Sequence, residues 1–239
     1  TITFGSAAHT NTSQAGQADV FLVKYSGSGA VLWSHSFGGG LQEEANDIAV
    51  DGAGNLAMTG NFYSLSVLFG NYGVINSGAS DAYVVKFNPA GTAQWAKRIG
   101  GGMTDNGQGV GIDNSGNVYV TGDYNSNTVS SFTPALSNSG GFDIYIAKFS
   151  STGSNVFASR FGGSGDEGVA ALHATGTGDF YVTGFFESGS IQIGSTNLTN
   201  TVARSMYVAK YNASGAAQWA QRALGNLNSV PSSIQAEGT

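Results

Sequence analysis

The sequence predicts an all-β protein built from one unit repeated about four times, and three observations carry that expectation. Lys24, Lys86, Lys148 and Lys210 stand 62 residues apart without an insertion, and Trp33, Trp95, Phe157 and Trp219 keep the same spacing. A fixed period of this size marks a supersecondary unit stacked on copies of itself. The composition joins 37 glycines to an 11% aromatic share and only 10% charged residues, a balance that suits short strands and tight turns and would weaken long helices. Finally, the segments around the lysines alternate side chain by side chain, as strands do.

The second unit displays its elements most clearly. Residues 81–87 place Tyr83, Val85 and Phe87 on one face and Ala82, Val84 and Lys86 on the other. Both faces are largely apolar, as a strand covered on both sides requires. The same alternation recurs at 19–25, 143–149 and 206–211. Asn88, Pro89, Ala90 and Gly91 supply turn chemistry, and 93–99 resumes a strand around Trp95 to complete a hairpin. A connector of Gly100, Gly101 and Gly102 leads to a short strand at 109–113, which Asn114 to Asn117 turn back into 118–124. Each unit is thus expected to supply four short antiparallel strands, with a variable excursion, here 125–142, between the second and third strands of a unit.

Four-stranded units that are apolar on both faces pack radially as the blades of a β-propeller. The phase sets the units at about 1–44, 45–106, 107–168 and 169–230, with 231–239 starting or completing a further blade. Before Lys24 lie 23 residues and from Lys210 onward 30, together 9 short of a period. Open blade edges expose unpaired backbone groups, so the expectation is an arc of a larger propeller of roughly six to eight blades.

Asp51-Gly-Ala-Gly-Asn55 with Met58-Thr-Gly60, Asp113-Asn-Ser-Gly-Asn117 with Tyr119-Val-Thr-Gly122, and Gly178-Asp-Phe-Tyr181-Val-Thr-Gly184 recur in phase. This pattern, followed downstream by an Asp-x-aromatic-x-x-Lys-aromatic strand, resembles the bacterial SBBP β-propeller repeat over nearly the whole chain. The resemblance implies an extracytoplasmic or cell-surface propeller module, often part of a large multidomain protein of Bacteroidota-like bacteria. It implies a scaffold and carries no reaction.

Composition narrows the function classes. A net charge of −6 and a pI near 4.8 argue against nucleic acid as a partner, because phosphate neutralisation needs clustered lysine and arginine. The absence of cysteine removes disulfides, thiolate catalysis and Cys-type zinc sites. No apolar run reaches the ~18 to 20 residues of a membrane-spanning helix, and no signal-peptide pattern opens the chain. Thr1 in place of a start methionine suggests a mature or excised piece of a larger parent protein.

Most candidate functional residues read as scaffold because they recur. Asp51 and Asp113 precede Gly-Asn turns and suit braces that accept backbone N–H groups, with Thr175 and Glu237 in the same phase. Each turn offers one carboxylate, too few for a calcium loop, so no metal or cofactor is expected. The four lysines suit a shared structural task better than Schiff-base or general-base chemistry. Trp33, Trp95 and Trp219, with Phe157, suit blade-to-blade packing, and Gly60, Gly122 and Gly184 mark a fixed backbone position. Near the excursions, Phe62, Tyr63, Phe69, Tyr72, Phe132, Phe185 and Phe186 read as lying outside the period, better candidates for specific contacts than the phased indoles, with anchoring of long loops as the favoured role. His9, His35 and His173 share no phase and suggest neither a metal site nor a triad.

Glu43, Asp105 and Glu167 form the functional lead. They share a phase in the connector after the Gly-rich stretch, with Ser229 as fourth member and Glu44 and Asp166 adjacent. On one face of a propeller they would make an exposed acidic arc able to attract a cation or a basic partner. The expected function is therefore a non-catalytic, secreted or surface-exposed bacterial module, adhesin-like or a spacer, that binds a protein or carbohydrate partner through loops on one face. A hydrolase or lyase with acids gathered at the central channel, and a structural subunit of a secretion or surface assembly, are the alternatives.

Overall fold

The computed structural model describes residues 1–14, 16–223 and 230–236, and no helix occurs among them. The chain opens with a small hairpin, β1 (Ile2–Phe4) and β2 (Ala7–His9), and a second hairpin, β3 (Val20–Tyr25) and β4 (Val31–Phe37). Three larger units follow. The first holds β5 (Glu43–Val50), β6 (Leu56–Phe62), β7 (Ser66–Phe69), β8 (Tyr72–Ile75), β9 (Asp81–Phe87) and β10 (Ala93–Ile99). The second holds β11 (Gly109–Ile112), β12 (Val118–Tyr124), β13 (Thr128–Val129), β14 (Leu136–Ser137), β15 (Asp143–Phe149) and β16 (Asn155–Phe161). The third holds β17 (Glu167–Ala174), β18 (Phe180–Phe186), β19 (Ser190–Ile193), β20 (Thr196–Thr199), β21 (Ser205–Tyr211) and β22 (Ala217–Ala223).

Each large unit is one antiparallel sheet of four strands, β5-β6-β9-β10, β11-β12-β15-β16 and β17-β18-β21-β22, with its excursion folded as a separate two-stranded hairpin. The described residues therefore show three whole blades. The repeat's first copy departs from the expected four strands, because among the described residues β3 and β4 pair only with each other, and they correspond to the last two strands of a blade. No strand occurs in 230–236, and the expectation of a further blade over 231–239 falls partly on residues outside those described.

The core explains why these strands are apolar on both faces. Three clusters fill the three spaces between successive units rather than one common centre. Val20, Leu22 and Phe37 meet Met58, Tyr83 and Phe87; Ala57, Val84 and Trp95 meet Val120, Tyr145 and Phe149; Tyr119, Ile144 and Ile146 meet Val182, Phe180 and Tyr207. Phe62 and Phe186 belong to this scaffold, since both are fully buried and stand in phase with Tyr124. The reading that set them outside the period is thereby corrected.

Polar straps join the same neighbours. Lys24 Nζ donates to the Pro89 carbonyl at 3.0 Å and Lys148 Nζ to the Ala213 carbonyl at 3.0 Å, each 65 residues ahead. Lys86 Nζ donates to the Gly116 carbonyl at 2.8 Å and lies 3.4 Å from that of Ser151, again 65 residues ahead. Trp33 and Trp95 send their indole N–H to the same turn carbonyls, Pro89 and Ser151, at 3.2 and 3.1 Å. The indole then fills the space beside the turn glycine, so a Cβ on Gly153 would lie 2.7 Å from the Trp95 ring. Phe157 has no N–H to give and instead packs its ring beside Phe180. The third tryptophan, Trp219, is 40% exposed.

The phased Gly60, Gly122 and Gly184 have a different cause. The inner strand bulges between Ala45 and Asp47 and again between Val169 and Ala171, pushing one carbonyl toward the neighbouring strand. A Cβ would meet the carbonyl oxygens of Glu44, Asn106 and Gly168 at 1.9, 1.8 and 2.0 Å, so only glycine fits opposite. Tyr83 Oη donates to the Glu44 carbonyl at 2.9 Å and Tyr145 Oη to that of Asn106 at 3.0 Å. Phe21 occupies this tyrosine position in the two-stranded unit.

Candidate functional site

The turn aspartates are engaged locally. Asp51 Oδ1 accepts the N–H groups of Ala53 and Asn55 at 3.0 and 2.8 Å, and its Oδ2 accepts the Asn55 amide. Asp113 repeats the pattern with Ser115 and Asn117 and also accepts Tyr119 Oη at 3.1 Å. In the third blade Thr175 Oγ1 contacts the Asp179 carbonyl at 3.0 Å. Glu237, of the same phase, lies outside the described residues.

The structure corrects the acidic arc. Glu43, Asp105 and Glu167 are buried, and their carboxylates face inward onto the chain. Glu43 accepts the N–H of Gly39 at 2.9 Å and of Ser64 at 3.3 Å. Asp105 accepts Gly101 N–H at 2.7 Å and the Ser126 hydroxyl at 2.6 Å, while Glu167 accepts Gly163 N–H at 2.7 Å and Ser188 N–H at 3.2 Å. Each acid thus ties the Gly-rich connector to the start of the excursion, and burial pushes the Asp105 carboxyl up despite those bonds. Ser229, the fourth member, lies outside the described residues.

Directly beside these braces, the repeat stops being regular. Glu44 faces Asn61 across β5 and β6, and Gly168 faces Phe185 across β17 and β18. Between them in phase, Asn106 is tied to Asp123. The pair is acid then amide in the first whole blade, where Asn61 Nδ2 donates to Glu44 at 3.1 Å. The second reverses it, with Asn106 Nδ2 donating to Asp123 Oδ1 at 2.7 Å. In the third the pair becomes glycine and an aromatic ring, and a Cβ on Gly168 would lie 2.4 Å from Phe185. The free face of Phe185 carries the Arg204 guanidinium 3.9 Å from the ring centroid, and Arg204 is ion-paired with Glu187.

A cavity of about 340 Å³ opens at this rim between the second and third whole blades. Asn106, Gln108, Asp123 and Asp166 give it polar walls, and Phe142 and Phe185 give it flat apolar ones. Asp123 is 9% exposed. Burial raises its carboxyl to about 6, although the Asn106 and Gln108 amides and the Val169 N–H oppose the rise. Asp166 Oδ1, at the exposed mouth, accepts the Phe142 N–H at 3.0 Å. Phe185 and Asp166 are visible in the sequence, as an aromatic near an excursion and as a neighbour of Glu167, whereas Asn106, Gln108, Asp123 and Phe142 do not stand out by residue type. The signal is the column itself: 61, 123 and 185 follow the phased glycine directly and read Asn, Asp, Phe.

At the inner strands, Asp47, Ile48, Val50, Val110, Leu172 and His173 surround a second space of about 260 Å³. Asp47 Oδ2 accepts the Val110 N–H of the next blade at 2.8 Å, and burial raises its carboxyl. Among the described residues no group of three or more His, Cys, Asp or Glu side chains converges as metal ligands would.

Four-stranded antiparallel blades, stacked face to face through a 62-residue repeat, define a β-propeller architecture. Residues 94–127 match the SBBP family model, described as a β-propeller repeat. That stretch runs from the last strand of one blade through the first two of the next, so the repeat in sequence is offset from the blade in space. The chain is 27% identical over 194 residues, 78% of its length, to the Regulatory protein FlaEY of Caulobacter vibrioides. It is 23% identical over 232 residues, 81% of its length, to the Uncharacterized WD repeat-containing protein L264 of Acanthamoeba polyphaga mimivirus. It spans 20% and 17% of those proteins' own lengths. A solved protein of unknown function from Bacteroides caccae matches over 86% of this chain and 94% of its own, at 12% identity and a TM-score of 0.28, too low to bear on fold or function.

Proposed function

We propose that this chain is a non-catalytic binding module of a larger, extracellular or surface-exposed bacterial protein, and that it meets a protein or glycan partner at the rim where the inner strands begin. The observation that carries the reading is the contrast between a near-invariant scaffold and one variable column on that rim. Lys24, Lys86, Lys148, Trp33, Trp95 and the connector acids spend their polar groups on bonds within the chain, so they offer little to a ligand. The pairs at 44/61, 106/123 and 168/185 change chemistry from blade to blade and adjoin a cavity, as expected where a rigid scaffold presents specificity. The Glu43, Asp105 and Glu167 carboxylates are spoken for by backbone N–H groups, which disfavours the hydrolase or lyase alternative.

The test is a footprint. Glycan arrays and extracellular protein panels identify a ligand, and amide hydrogen exchange maps where it protects the protein. Protection at 104–108, 123–126 and 185–188 is the expected result. Protection confined to the outer strands β10, β16 and β22, or turnover of a substrate by the isolated chain, overturns the reading.

A further inference from the structure

The cavity beside Asp123 holds an unbalanced charge. Asp123 is nine-tenths buried, yet the partners around its carboxylate are neutral: the Asn106 amide at 2.7 Å, the Gln108 amide and the Val169 N–H. None of the ion pairs among the described residues includes it. A buried carboxylate without a counter-charge is costly, and supplying an opposite charge there is worth more than at an exposed site. Among the described residues the cation on the cavity wall, Arg204, is already engaged with Glu187 and the Phe185 ring. Asp166 adds a second acid at the mouth, so the cavity repels anions and attracts a cation.

Resting on the rim reading above, we propose that this cavity receives a basic side chain, lysine or arginine, presented by a protein partner. The charge lies against Asp123 and Asp166, and the aliphatic stem runs along Phe142, Val169 and Phe185. The size suits this occupant, since about 340 Å³ stands at the low end of the ~300 to 1,000 Å³ typical of ligand sites. The wall chemistry suits it as well. Lysine and arginine bury their methylenes on apolar surface while the head group seeks a carboxylate. This molecule makes the same arrangement itself, with Lys148 over the Tyr119 ring at 4.8 Å beside Asp113 and Arg204 over Phe185 beside Glu187.

The preceding blade supplies the control. Asn61 occupies the position equivalent to Asp123, so Asp123→Asn installs a residue this scaffold already carries there. A fluorescein-labelled peptide of alternating glycine and lysine is titrated against the 239-residue protein at low salt and followed by anisotropy. Asp123→Asn is expected to weaken binding tenfold or more, and Asp166→Asn severalfold. Asp179→Asn, which removes an equal charge at the opposite strand ends, is expected to change little. Lowering the pH from 7.5 to 5 is expected to weaken wild type and not Asp123→Asn. The other titratable or charged groups around this carboxylate are Asp105, Asp166, Glu167, Arg204 and the hydroxyls of Tyr145 and Tyr207, both held protonated by burial. No binding to wild type, or equal binding to a folded Asp123→Asn protein, overturns the inference. A neutral oligosaccharide that protects this cavity equally well in both proteins also overturns it while leaving the rim reading intact.

Discussion

Replacing Gly153 by alanine tests whether blades are held together at the turn that receives the preceding tryptophan. Gly153 has φ +83°, and a Cβ there would lie 2.7 Å from the Trp95 indole. Gly29 has the same φ, +83°, and no atom within 4 Å of its Cβ position. Alanine in a left-handed conformation costs about 1–2 kcal/mol, and this term is common to both sites. Forcing a methyl group into a packed contact adds about 1–3 kcal/mol at Gly153 alone. The reduced freedom of the unfolded chain returns roughly 0.4–1 kcal/mol in both variants and cancels. Gly153→Ala is therefore expected to be the less stable of the two by about 1–3 kcal/mol. Urea unfolding followed by far-ultraviolet circular dichroism measures the difference, with the slope compared between variants because repeat arrays can lose two-state behaviour. Equal midpoints for the two variants would refute the claim that the indole contact joins the blades.

The tyrosines opposite the bulge give a second paired test. Tyr145→Phe removes the bond to the Asn106 carbonyl and is expected to cost about 1–2 kcal/mol. Tyr207→Phe should be neutral or stabilising, because the Tyr207 hydroxyl is buried without a partner among the described residues; thermal melts of the two variants check this, and an equal loss in both would contradict it. Stability should also fall as pH rises. Asp123 and Asp143 titrate at about 6 in the folded chain against an ordinary 3.8, and Asp47, Asp81 and Asp105 are raised too, each chiefly by burial. The folded state binds the extra protons, so this contribution is complete below 3.8 and lost as pH rises through about 6. A shift of this size corresponds to about 3 kcal/mol per group as an upper bound. A higher melting temperature at pH 5 than at pH 7.5 is the expected result, with the slope reduced in Asp123→Asn; a melting temperature that rises with pH over this window would contradict it.

The blade was legible because its determinants are local and periodic. The alternation at 81–87, the turn at Asn88 to Gly91 and the phased Trp95 each state their role within a few residues. Burial of Glu43, Asp105 and Glu167 was harder to read, since it depends on a connector folding back four residues and on a serine 21 residues ahead. The clue is that Ser64, Ser126 and Ser188 keep the period, which an exposed loop would have no reason to do. Arg98 and Arg160 were silent for a similar reason. They pair with Asp81 and Asp143 at 2.7 and 3.0 Å across adjacent strands, 17 residues apart. Where Ser205 replaces the acid, Arg222 donates to the Thr199 carbonyl instead. The cavity was least legible, because it forms between two blades from residues whose identities change with each copy.

The straps of Lys24, Lys86 and Lys148 point the same way along the chain, each from one unit to the turn of the next, whereas Lys210 pairs with Asp179 of its own blade. Such a contact is not self-complementary, so two blades cannot satisfy each other and stop. The chain is in effect a head-to-tail polymer whose monomers happen to be joined by peptide bonds, and head-to-tail association ends only by closing a circle. Blade number in such a polymer is set by the angle between neighbours and the number of copies encoded, not by any single contact. A duplication of 62 residues would thus bring with it both halves of every new junction, which gives this architecture a simple route to rings of different size.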